Sequence, residues 1–187
     1  MRDLEFRIYY KDLRLPYGMS WSKIQKEFQR ILDDCISKCN CAKDSLKYVW
    51  IPTTAQPPDE ILGYQYRFDW FLPSIFSSPS DVNIYVDDLT QSRYTGYHAG
   101  WVTSINFSKI AQNSYEVSLS EAAGQVMAHE TLFHIIAGYT DYPTNGHFPD
   151  SEYSIDANGG LGGEAKVSKN ATLSEYVCLK ICEKLEI

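Results

Sequence analysis

Three absences narrow the classes of protein to which this chain can belong. Its 187 residues carry a formal charge of −7, and lysine and arginine form no cluster along them. Surfaces that bind nucleic acid or anionic membranes need concentrated positive charge, so neither is an expected partner. No apolar run approaches the roughly 20 residues that span a bilayer, and no repeat or low-complexity tract is present. These absences favour a soluble, monomeric globular protein without a membrane span.

The composition is sufficient for one folded domain. A chain of 187 residues with 44% apolar side chains can bury a core, but it is too short for a second catalytic domain. We expect a single domain over 1–187, with a sheet and a long helix in about 1–138 and a loop and C-terminal helix in about 139–187. No signal peptide precedes Leu4, so the chain as given is expected in the cytoplasm, and it would be secreted if a signal had been removed.

The five cysteines leave two interpretations open. Cys35, Cys39 and Cys41 lie near the end of one predicted helix, and Cys178 and Cys182 are four residues apart on another. They are either buried thiols in a reducing compartment, or four of them cross-link the two helices of a secreted chain. Their spacings differ from the paired knuckles of a Cys₄ zinc site, which argues against that use.

The most informative segment contains two of the four histidines. Residues 129–134 read His-Glu-Thr-Leu-Phe-His, so the histidines are five positions apart. In a regular α-helix, side chains at i and i+4 differ by about 40° around the axis, but those at i and i+5 differ by about 140°. A local π-turn absorbs one extra residue and returns both histidines to a shared face. The spacing therefore predicts a π-bulge at this point.

The same six residues resemble the active-site helix of zinc peptidases. In the common pattern, two histidines four apart hold Zn²⁺, and the glutamate beside the first activates the attacking water. The dipeptidyl-peptidase III type has a His-Glu-x-x-Gly-His helix, which is similar over these six positions, with Phe133 here in place of its glycine. The resemblance implies that His129 and His134 are zinc ligands and that Glu130 is the general base.

The residues after this helix resemble the metzincin extension. In that extension, a glycine turns the chain so that a third ligand three residues later reaches the metal, and Gly138 and Asp141 have this spacing. Most metzincins place histidine there, but some secreted bacterial members, including the snapalysin type, place aspartate there. Asp141 is therefore the favoured third ligand. His147, nine residues past the glycine, is the alternative.

Metzincins also have a methionine-containing turn beneath the metal. This chain has no methionine after Met127, and residues 153–160 stand where the turn is expected, with Ile155 able to fill the same space. Tyr153, just before that turn, is the candidate for stabilising the oxyanion. The implied fold class is α+β, a single zincin-like domain. Its small twisted mixed sheet has an antiparallel edge strand and packs against two long helices, and a C-terminal helix follows.

Apolar and alternating runs place the strands of such a domain. Strands are predicted at Leu4–Tyr10, Tyr48–Ile51, Val82–Val86 and Gly100–Phe107. By analogy with metzincins, Trp101–Ser108 would be the antiparallel edge, which binds extended substrate by pairing of the two backbones.

Capping signals place three helices. One begins at Ser20 and runs to about Cys39, with a buried face formed by Ile24, Phe28, Ile31, Leu32 and Cys35. The histidine-bearing helix opens with a capping box at residues 118–121 and ends at Gly138, and a second capping box at residues 172–175 opens the C-terminal helix.

Three functions are compatible with these features. The first is a zinc-dependent peptidase acting on peptides or proteins, the second a degenerate zincin that only binds a partner, and the third a metal-dependent amide hydrolase with a non-peptide substrate. Two histidines on an apolar helix can also be hydrogen-bonded core residues, and Asp141 can cap a turn before Pro143. However, a carboxylate at Glu130 among apolar neighbours is costly to bury, which favours a metal or cation beside it. The sequence therefore predicts Zn²⁺ as cofactor and peptide hydrolysis as the activity.

Overall fold

Strands and helices are mixed along the chain, as expected for the α+β class. The structure, a computed structural model, describes residues 2–9, 15–42, 46–53, 82–87, 95–99, 102–138 and 166–187. The strands are β1 (Arg2–Tyr9), β2 (Leu46–Thr53), β3 (Val82–Asp87), β4 (Gly96–Ala99) and β5 (Val102–Asn106). The α-helices are α1 (Trp21–Lys38), α2 (Phe107–Gln112), α3 (Leu119–Ala128) and α4 (Glu175–Leu185), and a π-helical segment (His129–Ile136) continues α3. None of these helices combines the length and the apolar character needed to cross a bilayer.

The described strands form one mixed sheet. Its order is β2-β1-β3-β5-β4, in which every neighbouring pair is parallel except β4 and β5. Parallel neighbours need long crossover connections, and α1 supplies one between β1 and β2. The four predicted strands are thus confirmed, and β4 is an additional strand that the sequence patterns did not reveal.

The antiparallel edge strand is not the one expected from the sequence. The assignment of that edge to Trp101–Ser108 is wrong, because β5 pairs with β3 on one side and with β4 on the other. β4 ends at Ala99 and β5 begins at Val102, and the two strands pair antiparallel. Within the described residues, β4 therefore forms the edge. The predicted strand also extends too far, since Phe107 begins α2, where the Asn106 side chain accepts a hydrogen bond from the Lys109 N–H at 2.9 Å.

The long helix α1 confirms the predicted amphipathic pattern. All the residues expected on its inner face are buried in the main core, namely Ile24, Phe28, Ile31, Leu32 and Cys35. The Phe28 ring meets that of Trp50 on β2 edge to face at 5.4 Å, which places α1 against the sheet. Ser20 stands at the start of the helix, but its hydroxyl pairs with that of Ser22 at 2.8 Å and does not cap the helix.

Helices α1 and α3 are in close contact at Gly124. A Cβ atom at this position would lie 2.8 Å from the Ile24 carbonyl oxygen and 2.9 Å from the Glu27 Cβ atom. Both distances are shorter than van der Waals contact, and one involves backbone that cannot rotate away. Gly124 therefore sets the distance between α1 and the helix that carries the histidines.

Replacing Gly124 with alanine should therefore destabilise the fold. We expect the free energy of unfolding to fall by about 1–3 kcal/mol, the usual cost of overpacking, although alanine has the higher helix propensity. Gly138→Ala is the matched control: among the described residues nothing lies within 4 Å of its added Cβ, so the positive φ of 81° is the penalty to compare. Urea titrations of both variants give the comparison, and a Gly124→Ala protein as stable as the parent would refute this packing.

Two disulfides join the region around the end of α1 to the C-terminal helix α4. Cys35 bonds to Cys178 and Cys41 to Cys182, across sequence separations of 143 and 141 residues. Of the two interpretations of the cysteines, the cross-linked helices are confirmed and the set of buried thiols is wrong. In the chain-entropy model, closing so long a loop stabilises the fold by on the order of 5 kcal/mol. The second bridge contributes less, because the first has already brought α1 and α4 together.

The remaining cysteine, Cys39, lies between the two bridges in sequence. Its pKa is raised, first by partial burial and then by the charge of Glu175, while Lys38 opposes the shift. Only the thiolate attacks disulfides, so a raised pKa keeps Cys39 in the unreactive thiol form near neutral pH.

The C-terminal helix begins two residues later than its predicted cap. Ser174, and not Thr172, is the N-cap of α4, and its hydroxyl accepts a hydrogen bond from the Val177 N–H at 3.4 Å. The Thr172 hydroxyl instead donates to the Asp34 carboxylate on α1. The side chain predicted to cap α4, that of Thr172, therefore makes a long-range hydrogen bond to α1 instead.

Candidate metal centre

The histidine-bearing helix begins and ends where the sequence predicts. At its start, the Ser118 hydroxyl accepts from the Glu121 N–H at 3.3 Å, and the Glu121 carboxylate accepts from the Ser118 N–H at 2.9 Å. The Ser118 hydroxyl also donates to the Glu121 carboxylate at 2.6 Å, and this hydrogen bond, with the one from the Ser118 N–H, holds the pKa of Glu121 below its ordinary value. At its end, Gly138 adopts a φ of 81° and donates to the His134 carbonyl at 3.0 Å. The capping box and the terminating glycine are both confirmed.

The predicted π-turn is present and longer than a single bulge. Residues His129–Ile136 form a π-helical segment of 8 residues that follows α3 directly. At its end, the Ala137 N–H donates to the Leu132 carbonyl, five residues back, at 2.9 Å. Phe133 occupies the position of the glycine in the motif that this segment resembles. A π-helical turn therefore forms here without glycine.

The π-helical segment brings the two imidazoles together. The Nε2 atoms of His129 and His134 are 3.1 Å apart, and the ring planes are nearly perpendicular at 89°. Both side chains are buried, with 0% and 3% of their surface exposed. This distance allows a hydrogen bond between the rings, in which one Nε2 carries a proton. It also allows both nitrogens to bind one metal ion.

The separation of the Nε2 atoms fits the donor geometry of zinc. Two nitrogens at 2.0–2.1 Å from a tetrahedral ion are about 3.3 Å apart, close to the 3.1 Å found here. Neutral imidazole is also one of the preferred ligands of this ion. The two histidines therefore fit as one half of a zinc site.

The residues next to the histidine pair are buried. Glu130 has 3% of its surface exposed and Thr131 has none, so the polar residues of the segment lie inside the protein. The segment packs against α4 and against the strands β4 and β5. The segment that carries the histidine pair therefore lies next to β4, the edge of the described sheet.

The other predicted site residues lie outside the part of the chain that the structure describes. These are Asp141 and His147, the alternatives for the third ligand, and Tyr153, the candidate for the oxyanion. Within the described ranges, no group of three His, Cys, Asp or Glu side chains is arranged to hold a metal ion. The structure thus brings together His129 and His134, beside Glu130 in sequence, and leaves the third position untested.

One buried polar residue on the helix that carries the histidines was not identified from the sequence. Gln125, one helical turn before His129, is 1% exposed. Its amide nitrogen donates to the Glu27 carboxylate at 3.0 Å and to the Ser168 carbonyl at 2.8 Å, and its oxygen accepts from the Ser168 N–H at 2.9 Å. Arg30 in turn binds the Glu27 carboxylate with two hydrogen bonds of 2.8 Å. The sequence did contain a signal for this residue, because Gln125 is the one polar side chain in the apolar stretch 122–128.

Removing one residue from the π-helical segment should restore an ordinary α-helix without destroying the site. Deletion of Thr131 would place the histidines four apart, where they share a face within about 40°, and α3 and Gly138 would keep their positions. We expect the deletion variant to bind zinc with an affinity within roughly tenfold of the parent, one tenfold step being 1.4 kcal/mol. Thr131→Ala controls for the lost side chain. Complete loss of zinc binding on deletion, with the fold intact by circular dichroism, would contradict this prediction.

Comparison with known proteins adds no assignment: no protein-family model matches the chain, and no curated protein is significantly similar to it.

Proposed function

We propose that this protein is a zinc-dependent peptidase of the zincin type, in which His129 and His134 are metal ligands and Glu130 is the general base. The observation that carries the proposal is the convergence of two Nε2 atoms to 3.1 Å on a buried π-helical segment. A hydrogen-bonded histidine pair in a core would need no glutamate beside it. Glu130, 3% exposed, follows His129 directly in this segment, which is the position that a general base of this type occupies.

The proposed chemistry divides between the ion and the protein. Zinc would supply Lewis acidity, which lowers the pKa of water and polarises a carbonyl group. Glu130 takes the proton of the attacking water and passes it to the leaving amine, as a general acid–base residue does. His129 and His134 hold the reaction centre in place through neutral imidazoles. Asp141 or His147 completes the ligand set, and Tyr153 stabilises the oxyanion.

The sheet edge suits an extended peptide as substrate. Within the described residues, β4 pairs on one side only, with β5, and it packs against the π-helical segment. An extended peptide can add to such an edge through backbone hydrogen bonds, which require no particular side chains. A peptide bound along β4 would therefore lie beside the histidine pair. We therefore propose that β4 binds the substrate, in place of the segment Trp101–Ser108 that was expected from the sequence.

The disulfides indicate where the protein would work. Disulfides such as Cys35–Cys178 and Cys41–Cys182 persist in an oxidising environment and are rare in the cytosol. We therefore propose an extracytoplasmic location, in place of the cytoplasmic one expected from the chain as given.

The direct test is peptide cleavage by the purified, oxidised protein loaded with one equivalent of Zn²⁺. A library of unstructured peptides with blocked termini, analysed by mass spectrometry, reports internal cleavage without assuming a sequence preference. Cleavage that a metal chelator stops and added Zn²⁺ restores supports the proposal. Zinc binding without cleavage of any peptide would refute the peptidase and favour a binding module or an amide hydrolase with another substrate.

A further inference from the structure

The ring of Phe133 contacts both imidazoles of the candidate metal centre. It lies parallel to the His129 ring within 29°, with a centroid separation of 5.5 Å, and meets the His134 ring edge to face at 4.8 Å and 62°. Phe133 is completely buried and is among the largest fully buried side chains described. One aromatic ring therefore borders both nitrogen donors of the pair.

The π-helical path explains this placement. Phe133 follows His129 by four positions and directly precedes His134, within a segment whose turns close over five residues. Residues four and five positions after His129 therefore both lie next to it. The same insertion that brings the histidines together also brings the phenylalanine ring against them.

A ring packed against an imidazole helps to fix the direction in which its Nε2 atom points. The torsion that turns a histidine ring is broad and only weakly restricted by its own bonding. A ring packed against the two imidazoles narrows the arc over which each Nε2 atom can move about the separation of 3.1 Å. Aromatic pairs stacked or edge to face are favourable arrangements that restrict this rotation.

We infer that Phe133 is a positioning residue that fixes the two imidazoles in the orientation needed for metal binding. The inference rests on the proposed function for the identity of the ligands. It extends that function to a residue that touches neither metal nor substrate. Phe133 acts before the ion arrives, because it limits the ring motions that binding would otherwise have to suppress.

The first experiment compares zinc affinity in two variants by competition with a chromophoric chelator. Phe133→Leu removes the ring but keeps an apolar side chain, and we expect the zinc dissociation constant to rise roughly tenfold because both imidazoles must then be ordered on binding. Leu132→Ala is the matched control, since Leu132 is equally buried and adjacent but carries no aromatic ring. Leu132→Ala removes more core packing, so it should lose more stability in urea while keeping the affinity of the parent.

A purely structural role for Phe133 would give the opposite pattern. Zinc affinity would then follow the loss of stability, and Leu132→Ala would be the weaker binder. That result, or equal affinities for Phe133→Leu and the parent, would overturn the inference. If Phe133→Leu does not fold, Phe133→Met supplies the same comparison with a flexible side chain of similar length.

The second experiment needs no metal and separates this inference from the proposed function. In protein labelled with ¹⁵N at histidine, the metal-free parent should show one sharp set of ring nitrogen signals for His129 and His134. In Phe133→Leu these signals should broaden as the rings reorient, while Leu132→Ala should match the parent. Broadening in a protein that binds no zinc would keep the positioning role and refute the zinc peptidase. Unchanged ring signals would refute the positioning role, whatever the protein binds.

Discussion

Glu130→Gln is expected to abolish peptide cleavage almost completely while leaving zinc bound. The amide has nearly the size and shape of the carboxylate, but it cannot accept the proton of the attacking water. General-base catalysis typically contributes about 10²–10⁴ to the rate, so kcat should fall by that factor with little change in KM. Steady-state kinetics on the peptide that the parent cleaves fastest give kcat and KM for both proteins.

The matched control for that change is Glu116→Gln. Glu116 is exposed and lies just before the helix that bears the histidines, so the same chemical substitution there alters the charge without reaching the buried segment. It should leave kcat unchanged. If Glu130→Gln cleaves as fast as the parent, Glu130 is not the general base and the assigned mechanism is wrong.

His129→Ala is expected to eliminate zinc binding at the concentrations used for the parent. Four-ligand structural zinc sites contribute about 10–16 kcal/mol in total, so the loss of one ligand should weaken binding by roughly 100-fold or more. His134→Ala should behave alike, because its Nε2 atom lies 3.1 Å from that of His129 and serves the same ion. Equilibrium dialysis with elemental analysis of zinc gives the stoichiometry for each variant.

A second buried residue of the same helix controls for the cavity that alanine leaves. Met127 is 1% exposed and lies two positions before His129, so Met127→Ala removes comparable volume and no proposed ligand. It should retain one zinc per chain. Loss of zinc from Met127→Ala to the same degree as from His129→Ala would show that the metal depends on general stability, and not on the histidine.

The same dialysis experiment distinguishes the two candidates for the third ligand. Asp141→Asn and His147→Asn each remove one of the two alternatives, and only one should weaken zinc binding. Both residues follow Gly138, and neither belongs to the described part of the chain. A loss in neither variant would leave the site with two protein ligands and refute the metzincin resemblance beyond the helix.

Local rules accounted for the features that depend on neighbouring residues. The π-helical segment was predictable because histidines five apart beside Glu130 can share a face only in such a turn. The Ser118 capping box was predictable because its partner, Glu121, lies within the same turn. The buried face of α1 followed from its helical period. Each of these signals lies within a few residues of the feature it specifies.

Features that depend on distant residues could not be predicted in this way. The Thr172 side chain binds Asp34, and no local pattern indicates a partner 138 positions away. The sheet edge was assigned to the wrong strand because the assignment came from analogy with metzincins, and a sequence period shows that a strand exists but not which strands flank it. Cysteine spacing likewise allowed cross-linked helices without fixing the pairing of Cys35 with Cys178. The Gln125 contacts to Glu27 and Ser168 are of the same long-range kind.

The central claim is that the Nε2 atoms of His129 and His134 bind one zinc ion. Zinc K-edge X-ray absorption of the oxidised protein with one equivalent of Zn²⁺ tests it directly, because imidazole ligands give characteristic multiple scattering. We predict two imidazole nitrogens at 2.0–2.1 Å, with oxygen or further nitrogen donors in the remaining positions. A shell of sulfur scatterers near 2.3 Å, or a protein that retains no zinc, would contradict the account.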